Sequence, residues 1–134
     1  MRGRLIACAA TVLTVATAGT AAAEPVLVLA GGQQAGVAGS AVTVRFERVL
    51  EDSRCPALVD CVWAGQARIA LVVESAGTPP QTIELSTYPA SETTGPTAQV
   101  GGHSVALRAL DPYPRSPQDA IALQDYRATV AIDV

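Results

Sequence analysis

"CVWAGQARIALVV", residues 61–73, decides the fold. Its odd positions are Cys61, Trp63, Gly65, Ala67, Ile69, Leu71 and Val73, while Gln66 and Arg68 fall between them and Glu74 follows. An apolar residue at every second position is the mark of an extended strand with one buried face. On this reading Cys61 and Trp63 share the face of Ile69 and Leu71. The indole is then expected to pack beside a bridge under the sheet, as a core anchor, in preference to standing exposed as a ligand platform.

The same period recurs on both sides. Val42, Val44 and Phe46 alternate with Thr43, Arg45 and Glu47; Tyr126, Ala128, Val130, Ile132 and Val134 alternate with Arg127, Thr129 and Asp133. Ile83 with Leu85, and Val105 with Leu107, mark two further strands, and "VLVLA" at 26–30 reads as a strand covered on both faces. After Phe46 the phase slips, which a bulge near Glu47 or Arg48 absorbs. Turn chemistry separates these runs: "AGGQQAG" at 30–36, "SAGTPPQ" at 75–81, "SETTGPT" at 91–97, "GG" at 101–102 and "DPYPRSP" at 111–117. The expectation is an all-β fold, a small antiparallel sandwich or barrel of six or seven strands. Ser116, Pro117 and Asp119 allow at most one short helix, of no more than two turns, near 117–123. Ser86 to Gln99 lacks apolar periodicity and reads as an exposed loop.

Residues 1–23 read as a signal peptide. Arg2 and Arg4 precede an apolar run from Leu5 to Ala18, and Ala21 and Ala23 supply the small-x-small pattern, so cleavage is expected after Ala23. An uncleaved anchor fits less well, because Ala, Thr and Gly dilute the apolarity of a spanning helix. Lipid attachment at Cys8 in "LIAC" is disfavoured too, since only Leu5, Ile6 and Ala7 separate it from Arg4. Removing 23 of the 134 residues leaves 111, one β domain over 24–134. The expected destination is the periplasm or the exterior, with no membrane span after cleavage. That domain keeps seven arginines against twelve acidic residues, a net charge of −5 with His103 neutral, and no lysine. Nucleic acid is an unsuitable partner for such a chain, because its binding rests on Lys and Arg neutralising phosphates.

Two cysteines remain, Cys55 and Cys61, and an oxidising compartment favours their pairing. Closing so short a loop is worth about 2.4 kcal/mol by chain entropy. Redox catalysis would more naturally use Cys-x-x-Cys at a helix start. Zinc needs about four ligands, and calcium needs a denser acidic pattern than Glu51, Asp52 and Asp60 provide. No metal and no cofactor is therefore expected. His103 is the one conventional general base, and "GGHS" raises the alternative of a small hydrolase. Its neighbour Ser104 points to the other face of a strand, and no G-x-S-x-G elbow is present.

The better binding candidates lie in the aromatic group Tyr88, Tyr113 and Tyr126, above all Tyr113, which two prolines in "DPYP" stiffen; Asp52, Arg54 and Asp60 around the disulfide and Trp63 beyond it are further candidates. The stretches "VLEDSRCPALVDCVWAGQARIAL", "LSTYPA" and "LDPYP", with "DYRATVAIDV", resemble a group of small exported bacterial proteins, many of them lipoproteins, that share DSRCP followed by Cys-x-Trp-Ala-Gly. The resemblance implies export and a disulfide-bonded β domain, and it implies no activity. This chain departs from the lipoprotein members in having no apolar segment ahead of Cys8. The expected role is non-enzymatic binding of a protein or an envelope component, with a purely structural envelope role as the third possibility.

Overall fold

The computed structural model describes residues 24–88 and 95–133. The expected signal segment 1–23, with Cys8 and Ala23, lies outside them, as do residues 89–94 and Val134. Eight strands form: β1 Val26–Ala30, β2 Gln34–Gly36, β3 Thr43–Asp52, β4 Ala67–Glu74, β5 Gln81–Ser86, β6 Thr97–Val100, β7 His103–Asp111 and β8 Arg127–Asp133. One sheet has the order β1-β8-β7-β6 and the other β2-β3-β4-β5, with every pairing antiparallel. The two sheets pack face to face as a sandwich.

The period-two pattern explains what lies between the sheets. Ile69, Leu71 and Val73 of β4 meet Val44, Phe46 and Leu85 from the same sheet and Leu29, Val105, Val130 and Ile132 from the other, all in one buried cluster. Burying a Leu, Ile, Val or Phe side chain contributes about 1.5 to 3 kcal/mol, so these residues supply most of the driving force. β4 is buried on both faces except at half-buried Arg68 and at its last residue, because it lies in mid-sheet with small Ala70 in register between Arg48 and Glu84. The phase slip in β3 is a bulge at Glu47, and a second follows at Leu50. Together they turn Asp52 onto the inward row: it pairs in register with fully buried Ala67.

Several expectations need correction. β1 is an edge strand with Val26 and Val28 exposed, not a strand covered on both faces; only β8 pairs with it. Two strands arise where turn or loop was expected, β2 within "AGGQQAG" and β6 at the end of the 86–99 stretch, and both are short edge strands. The 117–123 stretch stays within its bound of at most one short helix: it forms a turn, closed by the Asp119 amide on the Ser116 carbonyl at 3.1 Å, and a single 3-10 turn follows at Leu123–Asp125. Asp119 Oδ2 accepts the Arg115 amide at 3.0 Å across the first turn.

Candidate functional site

Strand direction sorts the connections into two poles. At one pole are the turns 37–42, 75–80 and 101–102; at the other are 31–33, the long connections 53–66 and 112–126, and residues 87–88 and 95–96, which follow β5 and precede β6. Of the described large apolar side chains that are exposed, Leu58, Val59, Val62, Trp63, Tyr88 and Tyr113 sit at the long-loop pole, and only Val26 and Val28 lie elsewhere.

The 53–66 loop is a hairpin end with a narrow neck. The Ser53 amide donates to the Gln66 carbonyl at 2.7 Å and the Cys55 amide to the Ala64 carbonyl at 2.8 Å. Beyond that neck Cys55 and Cys61 are joined, with Cα atoms 5.9 Å apart. Inside the ring the Val59 amide donates to the Pro56 carbonyl at 3.2 Å, a turn that pushes Leu58 outward. Trp63 corrects the sequence reading: it is 65% exposed and takes no part in the core. The cause is Gly65. Its φ of +67° is left-handed, and a Cβ there would lie 1.8 Å from the Ser53 carbonyl oxygen. A residue in that conformation breaks the pleat, so the face shared by Ala67, Ile69 and Leu71 does not extend back to position 63.

Below the ring lies the feature that organises this pole. Arg54 is turned inward, its side chain 2% exposed. Its Nε donates to Asp52 Oδ1 at 2.8 Å and its Nη2 to Asp52 Oδ2 at 2.9 Å, a bidentate pair. Nη1 donates to the Leu110 carbonyl, Nη2 also to the Pro112 carbonyl at 2.8 Å, and the guanidinium carbon stands 4.3 Å from the centre of the Tyr113 ring. The Tyr126 hydroxyl donates to Asp52 Oδ2 at 2.7 Å. One arginine thus ties the end of β3 to the start of the 112–126 connection, and the Ala57 amide adds a direct link to the Pro114 carbonyl at 2.9 Å.

The protonation states follow from these contacts. Burial pushes the Asp52 carboxyl up, but hydrogen bonds from Arg54 and Tyr126 and the guanidinium charge outweigh it and hold the group below its ordinary value. Burial works against the Arg54 charge, and Asp52 more than compensates, so the guanidinium stays firmly protonated. Tyr126 is pushed up to about 12, by burial first and then by the adjacent Asp52. Asp52 and Arg54 are consequently engaged with each other and with the backbone, as positioning residues. Asp60 is exposed on the ring, and Tyr113, 55% exposed, caps Arg54 with one face.

One residue that shapes this pole carries no sequence signal. Ser86 is fully buried; its single hydroxyl hydrogen is shared between Gln66 Oε1 at 3.1 Å and the Tyr88 carbonyl, and its oxygen accepts the Tyr88 amide at 3.1 Å. It fixes the exit of the chain towards Tyr88, which is 56% exposed. Three shallow cavities surround the buried pair: about 400 Å³ between Val49, Ile121 and Leu123, about 290 Å³ between Pro56, Val59 and Pro117, and about 220 Å³ beside Thr87, Arg108 and Tyr113. None of them is lined by His103. That histidine starts β7 at the opposite pole, eight strand steps from Asp111, or about 26 Å at ~3.3 Å per residue. Among the described residues no group of three or more His, Cys, Asp or Glu is placed to hold a metal ion. The chain matches no protein-family model, and no curated protein or solved structure shows significant similarity to it.

Proposed function

We propose that this chain is an exported, non-enzymatic binding protein that recognises a macromolecular partner through the long-loop pole of its sandwich. The observation that carries the reading is the segregation of exposed Leu58, Val62, Trp63, Tyr88 and Tyr113 to a single end of the molecule. Aromatic side chains dominate binding hot spots, and loops gathered at one end of a rigid β-sandwich form a contiguous contact surface. The disulfide and the Arg54 network add preorganisation, which lowers the ordering cost of association. A disulfide is compatible with export, and the signal-like residues 1–23 supply the route.

The test is a paired comparison in native cells. The full chain and a Trp63→Ala/Tyr113→Ala variant are isolated after crosslinking and compared for bound components, with melting curves as the folding control. Loss of bound components in the variant, with melting retained, is the expected outcome. The reading fails if binding is unchanged in the variant, or if a turnover appears that requires His103.

A further inference from the structure

The outermost strands of a sandwich carry main-chain donors and acceptors that nothing pairs, and small proteins blunt such edges with charge, proline, bulges or brevity. Three of the four edge strands here are blunted. β2 and β6 have three and four residues, and β5 carries Glu84, while the Ser86 amide at its end donates to the Gly95 carbonyl at 2.9 Å. β1 is the exception: "VLVLA" has no charge, no proline and no bulge, and Val26 and Val28 stand 54% and 60% exposed along it. Pro25 does not close the edge, because its carbonyl faces β8 and accepts the Ile132 amide at 2.9 Å.

The backbone phase tells which groups are open. The Pro25 carbonyl bonds to Ile132 and the Gly31 amide to the Tyr126 carbonyl, so the odd positions of this stretch face β8 and the even positions face away from it. Of the even positions, Ala30 is already engaged, its carbonyl by the Gln33 amide and its amide by Gln33 Oε1, both at 2.9 Å. The open edge is therefore Val26 and Val28, whose amides and carbonyls have no partner among the described residues.

This edge is complementary to itself. About a two-fold axis at Leu27, Val26 meets Val28 of a second copy and Val28 meets its Val26, and each pair exchanges both of its N–H···O bonds. The valines of both copies then cover one another on the outer face of one continuous sheet. Centring the axis on Val28 instead sets Val26 against the occupied Ala30, and centring it on Val26 sets the Glu24 carboxylate beside apolar Val28. Charge selects the Leu27 register too. It puts Glu24 in line with Ala30 of the second copy and, one strand further, with Arg127, the β8 partner of Ala30. Two strand spacings are about 10 Å, which the two side chains span together over a methyl group. Arg108 holds only Oε2 of Glu24, at 3.0 Å, and Arg127 uses only Nη1, on the Gln124 and Tyr126 carbonyls, so both groups have capacity left.

We propose that this chain forms a two-fold dimer through β1, in which Val26 and Val28 of each copy pair with Val28 and Val26 of the other and Glu24 of each faces Arg127 of the other. The paired strands run in opposite directions, so the long-loop poles point to opposite ends of the dimer. The dimer does not depend on what that pole binds.

Sedimentation of the exported protein tests this. A strand-only interface is smaller than a standard one, so a monomer–dimer equilibrium in the ~micromolar range is expected. Val28→Pro deletes an outward amide and spares the β8 bonds, and Val28→Lys keeps the backbone and guards the edge with charge. Each is expected to weaken the dimer about tenfold or more while circular dichroism stays native, and Arg127→Glu to weaken it about tenfold. Register is read separately. Val26→Cys and Val28→Cys proteins, mixed and mildly oxidised, are expected to form a disulfide-linked heterodimer; either alone is not, since like positions stand beyond the ~7 Å Cα limit of a bridge. A monomer at every concentration, a dimer insensitive to Val28→Lys or to Arg127→Glu, or disulfides between like positions overturns the proposal. So does a mixed disulfide of Val28→Cys with a different protein, recovered from native cells in place of the dimer.

Discussion

The two poles of this sandwich are built by opposite strategies. The turns at 37–42, 75–80 and 101–102 connect neighbouring strands in few residues, with Gly39, Gly77, Gly101 and Gly102 at positive φ and open space around each. At the other pole the connections 53–66 and 112–126 are long, and a disulfide, a buried ion pair and a close glycine contact hold them in place. Long loops left to themselves are the mobile part of a small domain. The structural devices concentrated at one end therefore keep an exposed apolar surface in one shape, whereas the other end only has to reverse the chain.

The comparison breaks most directly at Arg54. Arg54→Ala leaves the Asp52 carboxylate and the Leu110 and Pro112 carbonyls without their donor, and loss of one partner of a buried pair costs about 3 to 5 kcal/mol. Denaturant unfolding checks this; the matching charge removal at the exposed Arg45–Glu47 contact, Arg45→Ala, is expected to cost less than about 1 kcal/mol. The same pair sets the acid limit. Asp52 has its folded value below the ordinary 3.8, so its contribution is complete above that pH and is lost as the pH falls through the folded value. Stability is expected to decline more steeply with acid in the native chain than in Asp52→Asn. A decline of equal slope in both would remove Asp52 from the account. At the alkaline end Tyr126 acts in the opposite sense: its contribution is complete below about pH 10 and fades as the pH rises towards its folded value of about 12.

Glycines sharpen the contrast. Gly77 and Gly65 have similar φ values, +79° and +67°, so an alanine at either bears the left-handed penalty of about 1 to 2 kcal/mol. Nothing lies near a Cβ at position 77, whereas at 65 it would overlap the Ser53 carbonyl. Gly65→Ala is expected to be the more damaging by at least about 1 kcal/mol, since a backbone atom cannot move aside as a side chain does. Equal losses at the two sites would mean that the neck of the loop opens freely. Next in size is the bridge. Cys55→Ser/Cys61→Ser removes a seven-residue closure worth about 2.4 kcal/mol, measured as a shift in the denaturant midpoint at constant slope.

How far the sequence is legible follows from the same division. β4, β7, β8 and the bulge in β3 could be read because each has a buried face that forces the period-two pattern, and Glu47 interrupts it visibly. β2 and β6 could not, being edge strands of three and four residues, too short for a period. "VLVLA" is ambiguous by nature, since a continuous apolar run fits a central strand and an edge strand equally, and only the pairing partner decides. At the site, Asp52, Arg54, Asp60 and Trp63 stand out as uncommon residue types near the cysteines, and Tyr113 by the prolines on either side of it. What they contact does not: the Leu110 and Pro112 carbonyls leave no trace in residue identity, and Tyr126 reaches Asp52 from 74 positions downstream.

Trp63 gives the smallest expected effect and the sharpest test of the comparison. As a core anchor, its truncation would cost about 3 to 5 kcal/mol. On an exposed tip beyond a left-handed glycine it supports nothing beneath it, and Trp63→Ala is expected to change stability by less than about 0.5 kcal/mol. Because it is the chain's one tryptophan, its emission reports on this place alone. In the folded, unliganded protein that emission is expected to be as red as in the denatured chain, and iodide is expected to quench it readily. A blue-shifted, protected emission would return the indole to the core and restore the phase of residues 61–73 as one uninterrupted strand. The exposed tip would then be lost, and with it the reason for bracing so long a loop.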